Sequence, residues 1–145
     1  MKSFTFTVPE EVHFGIGAIK ELPWMLHNCN SDHVMLVSSK GLEGIGLVGK
    51  VVSILEHVGI RCCTYLDVVP NPTSKNVYEA AKIYQECGAT SIVALGGGSP
   101  IDTAKGAAII AKYGGDIAAY EGGGTVSGPI DPLIAIPTTD GTGCE

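Results

Sequence analysis

The chain has 145 residues, which is the size of a single domain, and its 45% hydrophobic and 17% charged content is that of an ordinary globular protein. Its net charge of −6 and the absence of a lysine or arginine cluster argue against a nucleic-acid or anionic membrane partner. No apolar stretch reaches the roughly 20 residues that a transmembrane helix needs.

The first half of the chain begins with alternating polar and apolar residues. This alternation predicts an N-terminal β-hairpin of residues 4–8 and 12–14 around Pro9-Glu10, whose edge could pair with a second copy in a homo-oligomer. A helix is predicted over 16–27, interrupted early by Pro23. The continuous apolar run 34–37 is typical of a strand buried on both faces. Apolar residues at helical spacing then predict a helix over 47–58 that ends at Gly59.

The second half repeats this order of strand and helix. The predicted elements are a strand over 60–66, a Pro70-Asn71-Pro72-Thr73 turn that ends in a helix N-cap, a helix to Cys87-Gly88, a strand over 91–95, a helix over 101–113 and a strand over 133–136. Strands that alternate with helices form parallel sheets. We therefore predict one α/β domain over 1–145, a Rossmann-like parallel sheet with helices on both faces and an N-terminal hairpin.

Gly44-Ile45-Gly46-Leu47-Val48-Gly49 matches the Gly-x-Gly-x-x-Gly dinucleotide motif to the letter, and Asp67 ends the next strand, close to where a ribose-binding acid is expected. The motif requires its first glycine at the end of a strand. Here residues 38–43 intervene. We therefore expect these glycines to lie in the entry and first turns of a helix, without a cofactor role.

The second glycine cluster, Gly96-Gly97-Gly98-Ser99-Pro100-Ile101-Asp102, follows its strand without a spacer. Its glycines let the backbone approach an anion, while Ser99 could cap the helix and donate to a phosphate, with Pro100 at the first helical position. Asp102 is either a favourable first-turn acid or an acceptor for a ligand hydroxyl, and Lys105 is placed to pair with it. The alternative is a purely structural strand-to-helix turn.

A third loop, Pro137-Thr138-Thr139-Asp140-Gly141-Thr142-Gly143, follows the last predicted strand in the same way. Its hydroxyls and glycines suit a polar ligand. Because ligands of open α/β sheets bind at the carboxyl ends of the strands, both loops predict a nucleotide site at this edge.

The five cysteines are an odd number without Cys-x-x-Cys spacing, so reduced thiols in a cytoplasmic protein are expected. The four histidines (His13, His27, His33 and His57) show no metal-ligand spacing and are expected to be structural or solvent-facing.

With these motifs the chain resembles the iron-containing (group III) alcohol dehydrogenase family over essentially its whole length. The resemblance implies a nucleotide-binding α/β domain, a further helical domain with one aspartate and three histidines for a divalent metal, usually iron, and NAD(H)- or NADP(H)-dependent interconversion of an alcohol with an aldehyde or ketone. Four segments carry it: His13-Phe14-Gly15-x-Gly17, Pro70-Asn71-Pro72-Thr73, Gly96 to Lys105, and Pro137-Thr138-Thr139-x-Gly141-Thr142-Gly143-x-Glu145.

By the same resemblance, Gly97, Gly98 and Ser99 would hold the pyrophosphate of the cofactor. The rest of the dinucleotide would contact Asp102, Thr138, Thr139 and Thr142, with Asn71 beside the adenosine.

Three positions depart from the family pattern. Ser39 stands where many NAD-preferring relatives have an aspartate that accepts from the ribose hydroxyls and repels a 2′-phosphate. Its presence, with Lys40 adjacent, favours NADP(H) or the use of both cofactors. Asp140 replaces an alanine and Cys144 a serine.

The chain stops at Glu145, inside the fourth motif, and the metal-binding segment of the family is absent. We therefore expect a truncated chain that does not turn over alcohol alone, with no catalytic or metal residues of its own. Two alternatives stay open: a stand-alone nucleotide-binding module, and a relative of glycerol dehydrogenases or dehydroquinate synthases.

Overall fold

A computed structural model describes residues 11–122 and 124–144. Its centre is a four-stranded sheet in which every paired strand is parallel, in the order β2-β1-β3-β4. The strands are β1 (His33–Val37), β2 (Arg61–Tyr65), β3 (Ser91–Gly96) and β4 (Leu133–Pro137). The predicted α/β class and each of its four sheet strands are confirmed.

The described residues form five α-helices, of which α1 precedes β1 and the other four lie between strands, with short 3₁₀ segments at Ala18–Glu21 and Ile117–Tyr120. The helices are α1 (Leu22–Asn28), α2 (Lys40–Gly44), α3 (Leu47–His57), α4 (Ser74–Cys87) and α5 (Gly98–Tyr113). Capping residues determine where α4 begins and ends. Thr73 caps α4 in a reciprocal capping box with Asn76, and Gly88 ends it in the left-handed conformation at φ 71°.

Two apolar cores lie on opposite faces of the sheet, as predicted. On one face Met35 and Val37 of β1 pack with α4 and α5. On the other, Val34 and Leu36 pack with α1 and α3. Side chains alternate along a strand, so β1 contributes to both cores and is buried along its whole length. Gly106 lets α5 approach α4, because a Cβ there would lie 3.0 Å from both methyl groups of Val77.

Several predictions need correction. Pro23 stands in the first turn of α1 and begins that helix rather than interrupting one, since a proline costs no hydrogen bond there. Residues 4–8 of the predicted hairpin lie outside the described residues, and 12–14 have neither helix nor strand. Finally, the expectation of five reduced thiols is wrong for this structure: Cys63 and Cys87 form a disulfide, while Cys29, Cys62 and Cys144 are free.

Candidate functional site

The strand order creates a switch point between β1 and β3. The chain leaves β1 toward β2 on one side, and then crosses to β3 on the other. Open parallel sheets bind ligands at such a point, beyond the carboxyl ends of the strands. Three segments meet here: residues 38–42 after β1, residues 96–98 at the end of β3, and residues 138–144 after β4.

The carboxyl ends of β1 and β3 are tied together by a buried hydroxyl. Ser38, fully inaccessible to solvent, donates its Oγ hydrogen to the carbonyl of Leu95 at 2.8 Å. Its own amide donates to the carbonyl of Tyr65 at 2.9 Å, so the ladder with β2 continues one residue beyond β1. These two bonds fix the position from which the chain enters the switch point.

Gly96 cannot carry a side chain. Its φ of 147° is unfavourable for other residues, and a Cβ would lie 2.6 Å from Cγ of Pro100 and 3.2 Å from Cδ1 of Leu42. The glycine therefore permits two close approaches, one by its own helix and one by α2. This contact joins the segment after β1 to the one after β3.

Helix α5 begins within the glycine cluster, three residues earlier than predicted. Gly97 is the N-cap and Gly98 the first helical residue, so Ser99 lies inside the first turn and does not cap the helix. Pro100 is consequently the third helical residue rather than the first. The amides of a first turn have no acceptor within their helix, and they carry the positive end of its dipole. A 16-residue helix of this kind presents first-turn amides and positive potential at Gly97, Gly98 and Ser99, an arrangement that can bind an anion.

The loop after β4 packs directly on this helix start. The amide of Thr138 donates to the carbonyl of Gly96 at 2.9 Å. A Cβ on Gly97 would lie 2.9 Å from Oγ1 of Thr139, and one on Gly98 would lie 3.1 Å from Sγ of Cys144 and 3.7 Å from Cβ of Thr142. The two glycines thus leave room for the neighbouring loop, a constraint that the sequence did not indicate.

Asp102 faces the same loop. Sγ of Cys144 donates to its Oδ2 at 3.4 Å, and partial burial together with this carboxylate raises the pKa of the Cys144 thiol. Lys105 donates to the carbonyl of Cys144. The predicted pairing of Asp102 with Lys105 is wrong, since no ion pair between them occurs among the described residues.

Ser39 is the N-cap of α2 and accepts a hydrogen bond from the amide of Leu42 at 3.4 Å. Its backbone forms an isolated bridge with Asp67, and Oδ1 of Asp67 lies 2.5 Å from Nζ of Lys40. The hydrogen bond from Lys40 to Asp67 and the attraction between their opposite charges raise the pKa of Lys40. A carboxylate from the segment after β2 therefore lies close to Ser39 and Lys40.

Asn71 stands apart from the other predicted residues. It is exposed, adopts a left-handed backbone with φ 53°, and lies in the connection between β2 and α4. Hydrogen bonds within the described part of the chain do not link it to the glycine cluster. The structure thus brings Gly97, Gly98, Ser99, Asp102, Thr138, Thr139 and Thr142 together, with Ser39 at the adjoining strand end.

The motif at Gly44 to Gly49 lies where the sequence argument placed it. Gly44 ends α2, Gly46 precedes α3 in the left-handed conformation, and Gly49 lies in the first turn of α3. A Cβ on any of the three would meet nothing within 4 Å. The prediction that these glycines form a helix entry away from a strand end is confirmed.

The fold and the joined loops define an α/β protein of the Rossmann-like class. The sequence model of iron-containing alcohol dehydrogenases matches residues 9–145, and the chain belongs to that family. It is 37% identical over 146 residues to alcohol dehydrogenase 4 of Saccharomyces cerevisiae strain YJM789, covering 100% of this chain and 38% of the relative. It is 34% identical to 1,3-propanediol dehydrogenase of Citrobacter freundii over 99% of this chain and 38% of the relative.

Solved structures of other proteins have the same fold as this chain. A crystal structure of 1,3-propanediol oxidoreductase superimposes with a TM-score of 0.94 at 34% identity, covering 99% of this chain and 38% of the other. Sulfoacetaldehyde reductase from Bifidobacterium kashiwanohense, solved in complex with NAD⁺, gives 0.84 at 28% identity over 100% of this chain and 38% of the other. The chain thus spans about 38% of the length of these relatives.

The described residues do not fit the iron site that the resemblance implies. Within residues 11–122 and 124–144, the one group of three or more potential metal ligands is His33, Cys63 and Cys87, not one aspartate with three histidines. We therefore assign no step to iron within this chain. No helix in the described segments is long and apolar enough to cross a membrane.

Proposed function

We propose that this chain is the cofactor-binding part of an NAD(P)-dependent alcohol dehydrogenase. The pyrophosphate would lie against the amides of Gly97, Gly98 and Ser99. Asp102, Thr138, Thr139 and Thr142 would contact the rest of the dinucleotide, and Asn71 would lie beside its adenosine. A bound nicotinamide exchanges a hydride with the alcohol or carbonyl substrate, while this chain's residues hold and orient the cofactor.

One observation carries the proposal: the loop after β4 is packed onto the start of α5, where the first-turn amides have no acceptor within their helix. The hydrogen bond from Thr138 to Gly96 and the close approach of Thr139 to Gly97 fix the two loops relative to each other. Helix amides alone bind any anion. A neighbouring loop with threonine hydroxyls adds the lateral contacts that an extended dinucleotide requires.

Calorimetric titration of the purified chain with NADH and with NADPH tests this proposal. We expect binding by the unchanged chain and a loss of at least about tenfold in affinity for Gly97→Ala, because its Cβ displaces Thr139 from the helix start. Gly49→Ala is the matched control, since its Cβ meets nothing within 4 Å, and it should bind as before. An unchanged affinity in Gly97→Ala would contradict the proposed site.

We also propose that this chain does not oxidise alcohols by itself. Support comes from the ligand chemistry, because the described residues do not provide an aspartate and three histidines around one point. The purified chain, supplied with Fe²⁺ and either cofactor, is expected to show no alcohol-dependent formation of NADH or NADPH. Detectable turnover that rises with chain concentration would overturn this proposal.

For cofactor preference, we propose that Ser39 permits a 2′-phosphate and so allows NADP(H) or both cofactors. The Ser39 hydroxyl carries no charge, and the adjacent Lys40 carries a positive charge. In this structure Lys40 forms an ion pair with Asp67. Ser39→Asp adds a carboxylate at the end of β1, and should weaken NADPH binding at least about tenfold with little loss for NADH. Ser39→Asn is the uncharged control. If Ser39→Asp left NADPH affinity intact, the preference would have another origin.

A further inference from the structure

Three potential metal ligands meet on the α4 side of the sheet, near the amino end of β1. His33 is the first residue of β1, Cys63 lies on β2, and Cys87 is the last residue of α4. One ring nitrogen of His33 and the two Sγ atoms all lie within 4.8 Å of one another. The register explains this arrangement, because Met35 pairs with Cys63 and His33 is two residues before Met35 on the same strand face.

The imidazole of His33 provides a second, independent observation. The residue is only 8% exposed, and its Nδ1 is buried without a hydrogen-bond partner among the residues that the structure describes. Leaving a buried polar atom unpaired costs about 1–3 kcal/mol, so such atoms usually have a partner. Hydrogen bonds from Ser31 and Thr90 reach the backbone carbonyl of His33 and do not reach Nδ1.

We propose that His33, Cys63 and Cys87 bind one Zn²⁺ ion when the two cysteines are reduced. Imidazole nitrogen and thiolate sulfur are the ligands that Zn²⁺ prefers, with bonds of about 2.0–2.3 Å in a tetrahedral arrangement. Ligand atoms within 4.8 Å of one another can close around such an ion with small side-chain movements. Cys63 and Cys87 are both partly accessible, so water can take the fourth position.

The disulfide seen in the structure and the zinc site are alternative states of the same sulfur pair. A phosphine reductant converts the disulfide and one water into two thiols and a phosphine oxide. Binding of Zn²⁺ to the two thiols then releases two protons, and both sulfurs become thiolate ligands. The oxidised chain has no thiolate at this site and is expected to bind no zinc there.

Cys62 offers a matched control on the adjacent residue. It is on the opposite face of β2 and packs with the other core, so its side chain points away from His33 and Cys87.

Titration with Co²⁺, a spectroscopic substitute for Zn²⁺, tests the proposal. In the reduced chain, after removal of the phosphine, we expect one equivalent of Co²⁺ to produce thiolate-to-cobalt absorption that added Zn²⁺ abolishes. Cys63→Ser and Cys87→Ser should each lose this absorption, and His33→Gln should bind at least about tenfold more weakly. Cys62→Ser should titrate like the unchanged chain.

The oxidised and reduced forms of the unchanged chain keep the test decisive even if a variant does not fold. Absorption in the reduced form alone supports the site. Three results would overturn it: no cobalt absorption in the reduced chain, the same affinity in folded His33→Gln, or an equal loss in folded Cys62→Ser.

Discussion

Two glycine clusters in this chain look alike in sequence and lie in different structural settings. Gly44 to Gly49 reproduces a dinucleotide motif letter by letter, yet residues 38–43 separate it from the end of β1. Gly96 to Gly98 lacks that spacing and continues directly from β3 into α5. Glycines at the junction of a strand end and a helix start are well placed to bind an anion, so position relative to the strand is more informative than the letters.

The two clusters also differ in the space that is available for a side chain at each glycine. At Gly96, Gly97 and Gly98 an added Cβ would lie 2.6 to 3.1 Å from a neighbouring atom, whereas at Gly44, Gly46 and Gly49 it would meet nothing within 4 Å. Close packing therefore requires glycine at positions 96 to 98, whereas local backbone conformation at most requires it in the Gly44 to Gly49 motif.

The largest effect is expected at Gly96. Gly96→Ala places a Cβ 2.6 Å from the Pro100 ring at a φ of 147°, and neither the ring nor the buried strand can move freely. Overpacking and backbone strain should together lower the free energy of unfolding by about 3 kcal/mol. Urea denaturation measures this loss, and a change below about 1 kcal/mol would show that the turn is not crowded.

Ser38→Ala tests the bond that holds the switch point together. The substitution removes the hydroxyl that donates to Leu95 and leaves that buried carbonyl with one hydrogen bond fewer. We expect a loss of about 1–2 kcal/mol in the same urea experiment. Ser53→Ala, on the exposed side of α3, is the control and should change stability by less than about 0.5 kcal/mol.

The smallest effects on the free energy of unfolding are expected in the Gly44 to Gly49 motif. Gly46→Ala meets no steric contact, and only its φ of 84° is unfavourable, so a loss of about 1 kcal/mol is expected. Gly49→Ala, inside α3, should be neutral or stabilise the chain by up to about 1 kcal/mol. If either variant were more destabilising than Gly96→Ala, the contrast between the clusters would be wrong.

The sequence predicted the elements of this fold better than it predicted contacts within the site. Periodicity located β1, α3 and β3, because burial on one or both faces leaves a regular apolar pattern. The start of α5 was misplaced, since three glycines carry no helical preference and the first turn forms through packing against the β4 loop.

Contacts between distant residues had no sequence signal. Cys144 reaches Asp102 across 42 positions, and Cys63 meets Cys87 only after α4 folds back on the sheet. His33 joins that pair through the register of β1 with β2. Spacing within one segment cannot reveal such groups.

Backbone amide NMR during titration with NADH or NADPH tests the central claim most directly. For a 15.0 kDa chain, individual amides can be followed as the cofactor is added. We expect the largest shift changes at residues 97–102 and 138–143, with residues 44–49 little affected. Changes concentrated at 44–49, or spread without preference for the two loops, would contradict the account.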